Sequence, residues 1–266
     1  MRFNDYLLYL LNTGENPEDS AVTRQQHLLG RGGQEHCHDI ALLLPADEST
    51  QLLPASFISS RDLAACDLSL KHHKFTQIDL DTPLQSRPFD ELHWVCTEQT
   101  NLSSLEHLKT MAGLVHLHFV GKPRTGNIPP EVRVYNWQRW QDIVEFWISL
   151  YRARESLGSF GLNWGSYPSK SHQPMIAQYT FAYGRTPSTS LLHLKNRIRL
   201  TKLPRAREAV LVIEYSLALR VDEYARIIDL TGSLLKCDIA PVLDLSEEHN
   251  RCNLRLLTWS YLHSAS

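Results

Sequence analysis

The sequence has no CxxC cysteine pair, almost no net charge and no apolar stretch that reads as a membrane span. Its five cysteines (Cys37, Cys66, Cys96, Cys237 and Cys252) are odd in number and scattered, which argues against a disulfide framework and fits reduced thiols in a cytoplasm. A formal net charge of -2 excludes a global field that would recruit nucleic acid or membrane. The opening residues contain a short apolar patch, but Asp5 interrupts it and no small-residue cleavage site follows. They read as neither a signal peptide nor a membrane anchor, and the expected location is the cytoplasm. HExxH, GxSxG, fixed-period repeats and low-complexity tracts are all missing. The most informative absence is glycine in "HWVCTEQTNLSS", residues 93–104, where an apolar strand runs into the start of a helix. In nucleotide-binding α/β proteins, a glycine-rich loop cradles phosphate at that junction.

What is present is a chain of 266 residues, 42% of them hydrophobic, enough for one large core or two smaller ones. Residues 1–34 read as a mobile arm ending in "GRGGQ". "DIALLLP" is too short for a helix and fits a buried parallel strand; "SSRDLAACDLSL" reads as a helix and "FTQIDLD" as a second strand. "FDELHWVC", "SSLEHLKTMAG" and "LVHLHFVG" then form a strand–helix–strand unit, with Gly113 expected to end the helix. After a short strand, "VRVYNW", the residues Trp140, Ile143, Val144, Trp147, Ile148 and Tyr151 recur at helical steps and give one wide apolar face. Gly, Ser, Pro and Asn concentrate at 158–174, which places a linker between a domain at 35–157 and another at 175–266. The last domain reads strand, helix, strand, helix, strand, strand; Asp222 is expected to cap its second helix, and Pro241 to sit at an edge or bulge.

The segments "QYTFAYGRTPS", "EAVLVIEYSLALRVDEYARIIDLTGSLL" and "CDIAPVLDLSEEHNRCNLRLLTWSYL" resemble the C-terminal domain of the tubulin/FtsZ family. "FDELHWVCTEQTNLSSLEHLKTMAGLVHLHFVGKP" is similar in outline to that family's strand, phosphate loop, helix and strand. The resemblance implies an α/β fold: a degenerate Rossmann-like parallel-sheet domain, then a smaller mixed-sheet α+β domain. It also implies subunits that stack head to tail, the C-terminal domain of one over the nucleotide face of the next. The family's phosphate loop of glycines and threonines is here "CTEQTNLSS", whose Cβ atoms resist positive φ and close backbone approach. Ser103 and Glu106 fit a capping box, which would place a carboxylate where phosphate would dock. The family's acidic catalytic loop corresponds to residues 158–172, which contain no Asp or Glu. Both halves of a GTPase site are expected to be lost, so no catalytic, nucleotide-binding or metal-ligating residue is assigned, and no cofactor.

The histidines cluster in "EHCHD", "KHHK" and "HLH", the last with His116 and His118 on one strand face, but none shows paired metal-ligand spacing. The strongest charge feature is "KNRIRLTKLPRAR", which holds Lys195, Arg197, Arg199, Lys202, Arg205 and Arg207 without an acidic residue. Its ordinary reading is a solvated helix face backed by Leu194 and Ile198; its functional reading is a docking patch for an acidic partner. The sequence therefore points to a pseudo-GTPase acting through protein–protein interaction, with a tubulin/FtsZ-like subunit or its own copies as partner. The alternatives are an α/β enzyme or nucleotide-binding regulator built on the histidines, or a nucleic-acid contact through the basic stripe.

Overall fold

The structure is a computed structural model describing residues 38–44, 73–80, 88–121, 128–155, 174–201, 205–245 and 249–261. The expected arm at 1–34, the helix at 59–70 and the sequences "FGLNWG" and "EHC" lie outside the described residues. The chain divides into two compact units. Of the described residues, one gathers those within 38–151, 174–179 and 259–261; the other gathers those within 152–155 and 180–258.

In the first unit, β1 (His38–Leu43), β2 (His73–Ile78), β3 (Phe89–Cys96), β4 (Ala112–Val120), β5 (Arg133–Trp137) and β6 (Met175–Gly184) lie in the order β2-β1-β3-β4-β5-β6. Each neighbouring pair in that order is parallel. Parallel strands are covered on both faces, and the two faces of this sheet differ. Leu92, Trp94, Leu117, Phe119 and Val134 form an apolar layer with Leu105, Leu108 and Met111 of α1 (Leu105–Met111). Glu91, His93, His116, His118, Arg133 and Tyr135 alternate with them in sequence, so the pleat sends them to the opposite face. There α2 (Trp140–Glu155) lies over them, with Phe146, Trp147, Leu150 and Tyr151 fully buried. The buried helix face is thus rotated from the expected one, since Trp140 and Ile148 are only half-buried.

Two expected helix ends differ. Gly113 is the second residue of β4 rather than a helix cap, and a Cβ there would come 3.2 Å from the Asp90 carbonyl on the paired strand. The box between Ser103 and Glu106 does not form. Asn101 caps the 3-10 turn Leu102–Ser104 by accepting from the Ser103 backbone, while Glu106 pairs with Lys109.

In the second unit, α3 (Pro187–Thr201), β7 (Glu208–Tyr215), α4 (Val221–Leu235) and β8 (Asp238–Leu245) follow the end of β6, and β9 (Cys252–Tyr261) lies beside β7. β7 and β8 are parallel across the α4 crossover. Residues 246–251 are too short a link for a parallel return, so β9 runs antiparallel and the sheet is mixed. Pro241 falls on β8, the strand that ends the order, where a missing N–H is tolerated. Leu194, Ile198, Leu211, Ile213, Ile227, Leu254 and Leu256 are among the core residues. Asp222 does not cap α4. Arg220 is the N-cap; its backbone N–H donates to Glu223, and its side chain pairs with Asp222.

Candidate functional site

The turn after β3 is where the sequence lacks a glycine loop, and four of its backbone donors are engaged within it. Thr97 N–H donates to Thr100 Oγ1 at 2.8 Å, Gln99 N–H to Thr97 Oγ1 at 3.3 Å and Thr100 N–H to the Thr97 carbonyl at 3.2 Å. Ser103 N–H donates to Asn101. Threonine and asparagine side chains here fold back on their own backbone, the local competition typical of these residues. A phosphate nest also needs a left-handed residue, and among the described residues only Lys236 and Gly121 have positive φ. Cys96, which ends β3, is buried, and burial pushes its thiol far above the ordinary range. Cys237 and Cys252 are likewise pushed up to about 11, chiefly by burial, so all three are inert as nucleophiles.

The polar face of the first unit's sheet holds the densest chemistry. His93 and His116 are register partners on β3 and β4, with stacked imidazole rings whose centroids are 4.5 Å apart. His118 lies two residues along β4 from His116, and Glu91 two residues before His93. All four are at most 1% exposed. Trp147 of α2 meets the three histidines edge-on at 4.4, 5.1 and 5.8 Å. At this burial a polar atom without a hydrogen-bond partner is costly.

One hydrogen-bond direction follows from the donors present. Trp137 Nε1 can only donate, and it lies 3.1 Å from His118 Nδ1. A neutral His118 then holds its proton on Nε2 and donates to His93 Nδ1 at 2.9 Å. His93 in turn donates from Nε2 to Tyr151 Oη at 3.0 Å, and Tyr151 donates to Glu91 Oε2 at 3.2 Å. The chain ends on a carboxylate, as an acceptor-only group requires. Beside it, Arg133 hydrogen-bonds to Tyr135, whose hydroxyl lies 2.9 Å from His116 Nδ1. His116 Nε2 makes no hydrogen bond, although Glu91 Oε2 is 3.6 Å away. Burial holds His116 well below the ordinary imidazole range, with His93 adding to the effect and Glu91 opposing it. Burial, then His93, does the same to His118. Both imidazoles are neutral, with one lone pair each. One potential ligand atom from each of Glu91, His93 and His116 lies within 4.8 Å of the other two.

Sequence reasoning had His116 and His118 on one face but missed Glu91, His93 and Tyr151. The signal available was "ELH", an alternation of carboxylate and imidazole on one strand face; the pairing register that brings it to "HLH" is not written in either segment. "EHCHD" and "KHHK" fall largely outside the described residues. Of the basic stripe, Arg197, Arg199, Arg205 and Arg207 are exposed and Lys195 half-exposed, while Lys202 is outside the described residues. Leu194 and Ile198 form the buried side of α3, as expected. Leu192 and Leu200 are exposed on the same helix, at 54% and 81%.

No family model and no curated protein matches the chain by sequence. Solved structures do match. A point mutant of FtsZ from M. jannaschii aligns over 92% of this chain and 96% of that one, at 10% identity and a TM-score of 0.51. An empty FtsZ dimer from the same organism aligns over 92% of each chain, at 10% identity and a TM-score of 0.50. CetZ from Methanosaeta thermophila covers 84% of this chain and 87% of its own, at 14% identity and a TM-score of 0.49. Across most of its length, then, the chain carries the fold of the tubulin/FtsZ proteins. The identity is low and speaks for the fold alone. No helix among the described residues is long and apolar enough to cross a membrane.

Proposed function

We propose that this chain is a pseudo-GTPase of tubulin/FtsZ type that works by protein–protein contact, capping or regulating a filament or assembling with its own copies. One observation carries the reading: the turn at residues 97–104, where the fold would bind phosphate, satisfies its N–H groups at Thr97, Gln99, Thr100 and Ser103 internally. A phosphate there would have to break those bonds and meet Cβ atoms and the Glu106 carboxylate in the first turn of α1. The absence of carboxylates from residues 158–172 supports the same conclusion, because no side chain there would orient an attacking water. Assembly is supported by the fold, since a chain of the same fold is described as an FtsZ dimer. The exposed basic and apolar residues of α3, Arg197 and Arg199 beside Leu192 and Leu200, are the candidate contact for an acidic partner.

Equilibrium dialysis with GTP and a phosphate-release assay test this directly. The expected result is no binding at micromolar nucleotide and no turnover. Hydrolysis that disappears when residues 97–104 are altered would overturn it.

A further inference from the structure

The outward face of α3 carries charge of one sign and two uncovered leucines. Leu192 is 54% exposed and Leu200 81%, about two turns apart on one ridge of the helix, with the exposed Asn196 between them. Lys195 and Arg199 flank that ridge on one side and Arg197 on the other, and α3 holds no acidic residue. None of these three cations has an ion pair among the described residues. Such a face is matched by a segment that brings apolar side chains and negative charge together. A second copy of the same face is opposed by like charge, and a nucleic-acid backbone would leave the leucines uncovered.

The chain itself holds a segment of the matching kind. Residues 5–19, "DYLLYLLNTGENPED", contain Asp5, Glu15, Glu18 and Asp19 without a Lys, Arg or His, together with Leu7, Leu8, Leu10 and Leu11. Their formal charge is -4, against +3 on α3. We propose that residues 5–19 bind the Leu192–Leu200 face of α3 in their own chain as an autoinhibitory segment, which rests on the reading of α3 as the contact for an acidic partner. Ser20 to Cys37 join that segment to β1, and these 18 residues can extend about 60 Å at about 3.3–3.6 Å each. Sites joined by a linker of this kind meet at an effective concentration of about millimolar, so contacts too weak to hold a separate peptide hold a tethered one. An acidic partner must then displace the segment before it reaches Arg197 and Arg199, and its own affinity and concentration decide whether it does.

The test is methyl NMR of the full chain with labelled leucine, recorded without nucleotide or polymer. The resonances of Leu192 and Leu200 are assigned by Leu192→Met and Leu200→Met, and Leu80, exposed in the first unit, serves as control. Neutralising the segment with Glu15→Gln, Glu18→Gln and Asp19→Asn should shift the Leu192 and Leu200 methyls and leave Leu80 in place. Raising sodium chloride from about 50 to about 500 mM should move the wild-type spectrum the same way. A synthetic peptide of residues 1–20, added at about 1 mM to the neutralised chain, should return more than half of the shift. Arg197→Glu with Arg199→Glu should release the segment, and adding Glu15→Arg, Glu18→Arg and Asp19→Arg to that chain should dock it again. Methyls of Leu192 and Leu200 that stay put in the neutralised chain, or that ignore the peptide, would overturn the docking. A wild-type dimer in sedimentation that the neutralised chain loses would place the segment on a second copy and overturn autoinhibition within one chain. GTP binding would sink the pseudo-GTPase reading and leave these spectra unchanged, so the two failures are distinguishable.

Discussion

His116 and His118 are neutral inside the protein and protonate freely once it unfolds. Their folded pKa values are depressed, by burial first, so below the ordinary imidazole range the unfolded chain binds more protons than the folded one. Stability from these two groups is full above the ordinary imidazole range and falls as the solution is acidified through it. His249 acts the other way. The Asp244 carboxylate, 3.5 Å from its Nε2, raises its pKa, so its contribution is full below the unfolded value and fades as pH rises through the folded one. Two depressed histidines outweigh one raised one, and urea midpoints should drop from pH 7.5 to 5.5. A midpoint that rises or stays level over that interval would contradict the neutral assignment. At this scale the sequence was half legible: "HLH" announces two side chains on one face, yet Glu91 and Tyr151 reach it only through strand register and the docking of α2, which no local spacing encodes.

Glycines divide by what surrounds them. A Cβ on Gly184 would lie 2.7 Å from the Ser190 backbone nitrogen, and 2.5 and 2.8 Å from Thr189 Oγ1 and Ser190 Oγ. The first turn of α3 cannot give way. Thr186 and Thr189 cap it reciprocally, Pro187 fixes its opening residue, and Ser190 Oγ donates to the Cys252 carbonyl at 2.7 Å. Gly184→Ala should therefore cost about 1–3 kcal/mol, in the range of core overpacking. Gly232, inside α4, would place a Cβ 3.6 Å or more from its neighbours, and Gly232→Ala should stabilise by about 0.5–1 kcal/mol. Denaturant titrations of both variants check the opposite signs; a shared sign would show that close approach is not what distinguishes them. Elements were the most legible scale. Continuous apolar runs marked β1 and β7, and the helical period marked α2 and α4. Their ends were less so, because Asn101 and Arg220 won the capping positions from the residues whose types suggested them, and Gly113 serves a close strand approach rather than a helix terminus.

At the scale of the whole molecule, the two units differ in what they retain. The second unit has an apolar core with its helices capped, and a buried Glu214 held by Arg255 at 2.6 Å and Asn253 at 2.7 Å. In the first, the turn after β3 bonds its Thr97, Gln99, Thr100 and Ser103 N–H groups within itself. In filaments that grow head to tail, a subunit that docks through one face but presents no competent nucleotide face would end the polymer, since a heterologous contact propagates only when both faces work. The chain added at substoichiometric amounts to an FtsZ-type polymer from the same cell should therefore lower polymer mass and length, measured by sedimentation and light scattering. Reversing charge with Arg197→Glu and Arg199→Glu should leave folding intact, as exposed charges contribute little to it, and should weaken the effect if α3 carries the contact. Shortening that survives the reversal moves the contact elsewhere on the chain. Constant polymer mass, with neither complex nor self-association detected, would leave the shared fold as ancestry and remove capping as the function.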